Sequence, residues 1–146
     1  MKETSAGVVL FRRVGGRVRF LLLHYPSGHW DFVKGKMEPG ETTRETALRE
    51  TEEETGITDV AFLDGFEEQI RYEFEYNGET IRKKVVLFLA ETRTKKIRIS
   101  HEHTGYAWHG YEEAVENTTF ENARVVLARA HAILQATADA GPRAQD

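Results

Sequence analysis

The chain has 146 residues, 40% hydrophobic and 30% charged, a balance that supports a folded core and excludes intrinsic disorder. A formal net charge of −4 argues against a protein that coats nucleic acid, so no stable nucleic-acid partner is expected. With no cysteine, a disulfide framework and a zinc–thiolate site are both excluded.

One domain is expected over residues 1–138, with a frayed tail at 139–146. The start, MKETSAGVVLFRR, lacks the long apolar segment of a signal peptide or membrane span. The expectation is therefore a cytoplasmic protein with no membrane partner. In chain order, SAGVVLFRR (5–13) and RVRFLLLH (17–24) read as strands joined by a tight turn at Gly15-Gly16. Residues 25–29, with Pro26, Ser27 and Gly28, read as a loop, and Trp30 to Val33 as a short apolar stretch. A helix follows. Thr42 and Glu45 form a capping-box pattern, Gly56 suits the position just past the end, and Ala47, Leu48 and Thr51 are its expected inward stripe.

Residues 58–63 predict a short strand. Two longer runs, 66–76 and 80–91, flank Asn77-Gly78, the strongest short hairpin signal, and VVLFLAE in the second is apolar enough for a central strand. Alternation over Lys96 to Ser100 predicts another strand. From Phe120 to Thr137, helical periodicity and frequent alanine predict a second long helix. Strands mixed with two substantial helices give an α/β sandwich.

The chemistry gathers in GKMEPGETTRETALRETEEETGI, residues 35–57. Glu50, Glu53 and Glu54 stand at i, i+3 and i+4, on one face of the expected helix. Three carboxylates within a turn repel each other, and a hard divalent cation relieves that repulsion. Such a cation would neutralise phosphate charge and acidify a water so that it attacks phosphorus. Glu-rich helices are more often plain solvated faces, and Glu52 is read as only that. Arg49 and Glu41 are expected to form a bidentate pair pinning the preceding loop to the helix. Gly35 and Gly40 are expected to supply backbone shapes closed to other residues.

Gly35, Glu41, Arg49, Glu50, Glu53, Glu54, Gly56 and Ile57 together fill the pattern Gx5Ex7REUxEExGU, and the stretch resembles the signature of the Nudix hydrolases. Thr51 departs from it, standing where an aliphatic residue is usual. The resemblance implies an α/β/α sandwich with a mixed central sheet. It implies Mg2+ as cofactor, with Mn2+ able to substitute, held by Glu50, Glu53 and Glu54. It gives Gly35, Glu41, Arg49 and Gly56 structural roles.

Three blocks, HWDFVKGKMEPGE, ALRETEEETGI and IRISHEHTGYAW, further resemble the asymmetric diadenosine tetraphosphate hydrolases within that family. This similarity runs from about Ala6 to Phe120. It is weakest in the 66–84 hairpin, which reads as longer than in the animal enzymes. It implies a dinucleoside polyphosphate substrate, with His29 and Lys34 near its phosphate chain and Lys83 on a phosphate. Glu102 becomes a fourth acidic residue at the metal, and Glu53, Glu54 and Glu102 the catalytic carboxylates. Glu53 and Glu102 both remain open as the group that activates water. Tyr72 and Phe120 would sandwich an adenine, with Tyr76 competing for the place of Tyr72 and Phe120 replacing a tyrosine. Read as residues alone, Phe120 fits the first core position of the last helix, Tyr72 a cross-strand packing position and His29 a loop histidine. His101 and His103 flank Glu102, but HEH lacks the HExxH spacing of a zinc site.

Asymmetric cleavage of diadenosine tetraphosphate to ATP and AMP is the leading expectation. Action on a nucleoside triphosphate or an RNA 5′ end keeps the same chemistry. A silent nucleotide-binding sensor would be expected to lose box glutamates, and this chain keeps them all.

Overall fold

The computed structural model describes residues 1–139. A seven-stranded mixed sheet runs through the molecule in the order Trp30–Asp31, Arg17–His24, Lys2–Val14, Glu79–Glu91, Ala61–Tyr76, with Val33–Lys36 on Lys2–Val14 and Gly105–His109 on Arg17–His24. The strands are β1 (Lys2–Val14), β2 (Arg17–His24), β3 (Trp30–Asp31), β4 (Val33–Lys36), β5 (Ala61–Tyr76), β6 (Glu79–Glu91) and β7 (Gly105–His109). The helices are α1 (Thr43–Thr55), α2 (Tyr111–Asn117) and α3 (Glu121–Asp139).

β1 organises the sheet. Ser5 to Val8 pair with β4 and Phe11 to Val14 with β2, both antiparallel, while Lys2 to Phe11 run parallel to β6. Because successive side chains alternate, each inner strand feeds two cores. Val9, Phe11, Phe20, Leu22, Val85, Leu87 and Leu89 meet Ala123, Val126, Leu127, Ala130 and Leu134 of α3. Val8, Leu10, Leu21, Leu23, Val86 and Phe88 meet Ala47 of α1 and Ile57 on the other face. Near-continuous apolar runs in β1, β2 and β6 are what a sheet covered on both faces requires. The expected α/β/α sandwich is the architecture found.

Local signals act as their chemistry directs. Thr42 Oγ1 accepts from the Glu45 N–H and Glu45 Oε1 accepts from the Thr42 N–H, closing the capping box. Gly56 ends α1 at φ 78°, a left-handed conformation that a side chain would strain. Asn77 and Gly78 both take positive φ in the β5–β6 turn.

Several expectations need correction. Leu48 is 40% exposed, and the buried positions of α1 are Thr46, Ala47, Thr51, Glu54 and Thr55. Position 48 lies about 100° around the helix from Ala47, which turns it off this stripe. The threonines are tolerated inside because their hydroxyls donate to carbonyls one turn back, Thr51 to Ala47 at 2.7 Å and Thr55 to Thr51 at 2.6 Å.

The strand expected at 58–63 and the run from 66 are one strand, β5, kinked by a register irregularity between Phe62 and Glu67. Lys96 to Ser100 form no strand. The Arg98 and Ser100 N–H groups donate instead to the Thr55 and Glu54 carbonyls, strapping this segment to the end of α1. The last helix extends to Asp139; the rest of the expected tail lies outside the described residues. Among the described residues, no helix is long and apolar enough to cross a membrane.

Candidate active site

The site begins where β4 passes under α1. Arg49 Nε and Nη2 donate to the two carboxylate oxygens of Glu41 at 2.6 and 3.1 Å, the fork-on-carboxylate geometry that the residue types suggest. The same guanidinium reaches the Lys36 carbonyl, Glu50 and Glu53 at 2.9, 2.9 and 3.1 Å. Arg49, the Glu38 N–H and the Thr46 hydroxyl hold Glu41 down at about 2. One arginine thus ties the loop, the β4 strand and two of the three glutamates together.

Gly35 serves a different purpose from the one expected. Its φ is not positive, and a Cβ there would fall 2.0 Å from Glu50 Cδ. The position is kept free so that the Glu50 carboxylate can lie on the strand. Gly40 does adopt a positive φ, at 85°.

Glu54 is buried at 4% exposure beside Glu50, and its Oε1 has no hydrogen-bond partner. Burial, then the Glu50 carboxyl and the charge of Glu102, push Glu54 up to about 9. Glu102 is exposed, with no ion pair on its carboxylate among the described residues. Glu53 points outward at 57% side-chain exposure, held by Arg49. No group of three His, Cys, Asp or Glu side chains is gathered as a ready metal cage among the described residues. The donor chemistry nevertheless fits a hard divalent cation. Carboxylate oxygens predominate, and one is buried, lacks a donor and belongs to a carboxyl that burial and then its neighbours keep protonated.

On the opposite face of the sheet a pocket of about 240 Å³ opens between β5 and the start of α3. Tyr72 and Phe120 line it over Ile70, Val85, Leu87 and Ala123, with Asp31, Lys34 and Asn122 as its polar groups. Phe120 is not a core residue of α3. It precedes the helix and is 46% exposed. Tyr72 lines the pocket, whereas Tyr76 lies near the hairpin tip at 62% exposure and does not.

Tyr72 pairs across the hairpin with Lys83, so alternation puts Lys83 on the pocket face and Arg82 and Lys84 on the other. Lys83 bridges to Glu3 at 3.3 Å, and burial lowers its pKa. His29 stacks on Tyr25 at 4.6 Å and lies 5.2 Å from Phe120; burial lowers its pKa. Lys34 bridges to the buried Asp31 at 3.3 Å.

Three further residues join this region. Asp31 enters both the Lys34 bridge and the pocket wall. The Tyr25 hydroxyl donates to the Phe32 carbonyl at 2.7 Å, and its pKa is raised by burial and by Glu54, Asp31, Glu50 and Glu102. His103 Nε2 lies 3.6 Å from Glu54 Oε1. Their proximity to the cluster is tertiary, and only HEH, at His103, left a trace in the sequence.

The chain is similar to known proteins. The NUDIX domain family matches residues 1–130. The asymmetrical bis(5′-nucleosyl)-tetraphosphatase of Mus musculus is 37% identical, over 94% of this chain and 99% of its own length. The Caenorhabditis elegans protein of that description is 32% identical, over 92% of this chain and 98% of its own. A crystal structure of a C. elegans Ap4A hydrolase binary complex superposes with a TM-score of 0.83 at 31% identity, covering 92% of this chain and 98% of that one.

Proposed function

Because the chain belongs to the Nudix family, we propose that it is a hydrolase that cleaves diadenosine tetraphosphate asymmetrically, giving ATP and AMP. One observation carries the reading beyond the family. The aromatic slot of Tyr72 and Phe120 also contains Lys34, whose own strand passes beneath the glutamate cluster. A base in the slot would start a phosphate chain toward the carboxylates.

Adenine stacks between Tyr72 and Phe120, an interaction worth about 1–3 kcal/mol per base. Lys34, His29 and Lys83 offset the polyphosphate charge that the cation leaves. Glu50, Glu53, Glu54 and Glu102 hold the cation, which is Mg2+ in this reading, with Mn2+ as a substitute. When bound, that ion supplies phosphate charge neutralisation and acidification of water. Arg49, Glu41, Gly35 and Gly56 hold the carboxylates in place rather than touching substrate. A water oxygen bonds to the fourth phosphorus from one adenosine, the bridging P–O bond breaks, and ATP leaves. The water proton passes to a carboxylate. Glu53, held by Arg49, and Glu102, free of ion pairs among the described residues, are the two available, and the kcat of Glu53→Gln against Glu102→Gln separates them. The reading places the protein in the cytoplasm, where its substrate would be a small nucleotide.

Product analysis with purified protein, Mg2+ and diadenosine tetraphosphate tests the proposal. ATP and AMP in equal amounts are expected. Two ADP, or no turnover, would overturn it.

A further inference from the structure

Three buried side-chain polar atoms lack a hydrogen-bond partner among the described residues, and two of them, Glu54 Oε1 and His103 Nε2, face each other at 3.6 Å. Buried orphans of this kind are uncommon and call for a reason. The His103 side chain is 1% exposed and that of Glu54 6%, so bulk water has little access to either.

The ring of His103 is fixed from several sides. Its Nδ1 lies 3.1 Å from Ser100 Oγ, its backbone N–H donates to the Ser100 carbonyl at 3.1 Å, and Tyr25 packs edge-on at 4.6 Å. The Ser100 N–H donates to the Glu54 carbonyl at 3.2 Å. The segment that carries His103 is therefore tied to the turn of α1 that carries Glu54.

The network also selects the tautomer. Ser100 Oγ accepts the Glu102 N–H at 3.2 Å, which leaves the hydroxyl hydrogen to point at His103 Nδ1. The ring proton is then on Nε2, the nitrogen aimed at Glu54. A shift of well under an ångström closes the 3.6 Å gap to hydrogen-bond length.

We infer that His103 is a positioning residue for Glu54: its Nε2–H donates to Oε1 and fixes the carboxylate that holds the divalent cation. The inference rests on the reading of Glu54 as a cation-holding residue. Carboxylates that ligate metals are commonly held by a donor of their own, and losing that donor costs about 10–100-fold in metal affinity or activity. In this chain Glu54 has a donor aimed at it from the loop after β6, and His103 acts through it without touching substrate.

Calorimetric titration of the whole protein with Mn2+ alone is the test. His103→Phe keeps an aromatic ring for Tyr25 to pack on and removes the donor. It should weaken Mn2+ by about 10–100-fold, lower kcat and leave KM near that of wild type, because His103 does not line the base pocket. His103→Gln keeps an N–H donor and should recover most of the loss. Should the phenylalanine variant not fold, His103→Leu against His103→Gln makes the same comparison. Wild-type Mn2+ affinity in a donor-less variant, or a glutamine variant as impaired as it, overturns the inference, as does failure of the wild type to bind Mn2+. A wild type that binds Mn2+ but leaves diadenosine tetraphosphate intact overturns the substrate reading and leaves the His103 comparison standing.

Discussion

At the α1 end of the candidate site, acidic side chains are packed against one another and held by a single arginine. At the α3 end, Tyr72 and Phe120 stand nearly half in solvent, at 42% and 46% exposure, over an apolar floor. The first is electrostatically strained without a cation, since Glu54 is buried with a partnerless oxygen. The second has little charge to satisfy and gains by covering apolar surface. The two ends should therefore fail differently. Damage to the carboxylates should reduce kcat, and damage to the rings should raise KM.

The largest effect is expected at Glu54. Glu54→Gln should cost orders of magnitude in kcat, while the cation-free protein becomes more stable at alkaline pH, where the buried carboxylate would otherwise ionise. Near-normal turnover would remove Glu54 from the site. Gly35→Ala comes next. Its Cβ would fall 2.0 Å from Glu50 Cδ, so the carboxylate must leave its place on the strand. Turnover should drop sharply with KM much less affected, and an unchanged kcat would break the link between this glycine and the carboxylate end.

At the other end, Phe120→Ala and Tyr72→Ala should each raise KM by about tenfold or more, the loss of one stacking face. Tyr76→Ala should leave it unchanged. Equal effects at Tyr72 and Tyr76 would contradict the assignment of the slot.

A smaller effect concerns pH. Folded Glu54 holds its proton up to about 9, well above an ordinary carboxylate. Its contribution to the stability of the cation-free protein is therefore complete below the ordinary carboxylate value and is lost as pH rises toward 9. A bound cation must displace that proton, so affinity should climb with pH by up to about tenfold per unit and level off near 9. Calorimetry in buffers of different ionisation enthalpy counts the proton released. A pH-independent affinity with no proton release would mean that Glu54 is not a ligand.

The same contrast explains what was legible in the sequence. The carboxylate end is built from residues 35–57, where helical spacing, the capping box and the Arg49–Glu41 pair all act at short range. Its geometry can be read from offsets alone. The base end draws on β3, β4, β5, β6 and the start of α3, from Asp31 to Ala123. No spacing rule joins those positions, and Tyr72 and Tyr76 could be separated only once the hairpin register was known. Lys96 to Ser100 alternates like a strand, yet the Arg98 and Ser100 N–H groups go to carbonyls at the end of α1, a tertiary pairing that alternation does not reveal. The short β7 and α2 have too few residues to show a period and gave no sequence signal. Leu48 departs from expectation because small threonines, rather than large aliphatics, line the inner face of α1.

The most direct test of the central claim is hydrolysis of diadenosine tetraphosphate in 18O-labelled water with Mg2+, followed by mass spectrometry of the products. Attack at the fourth phosphorus predicts one labelled oxygen in AMP and none in ATP. Label in ATP, or label shared between two ADP, would contradict the proposed site of attack.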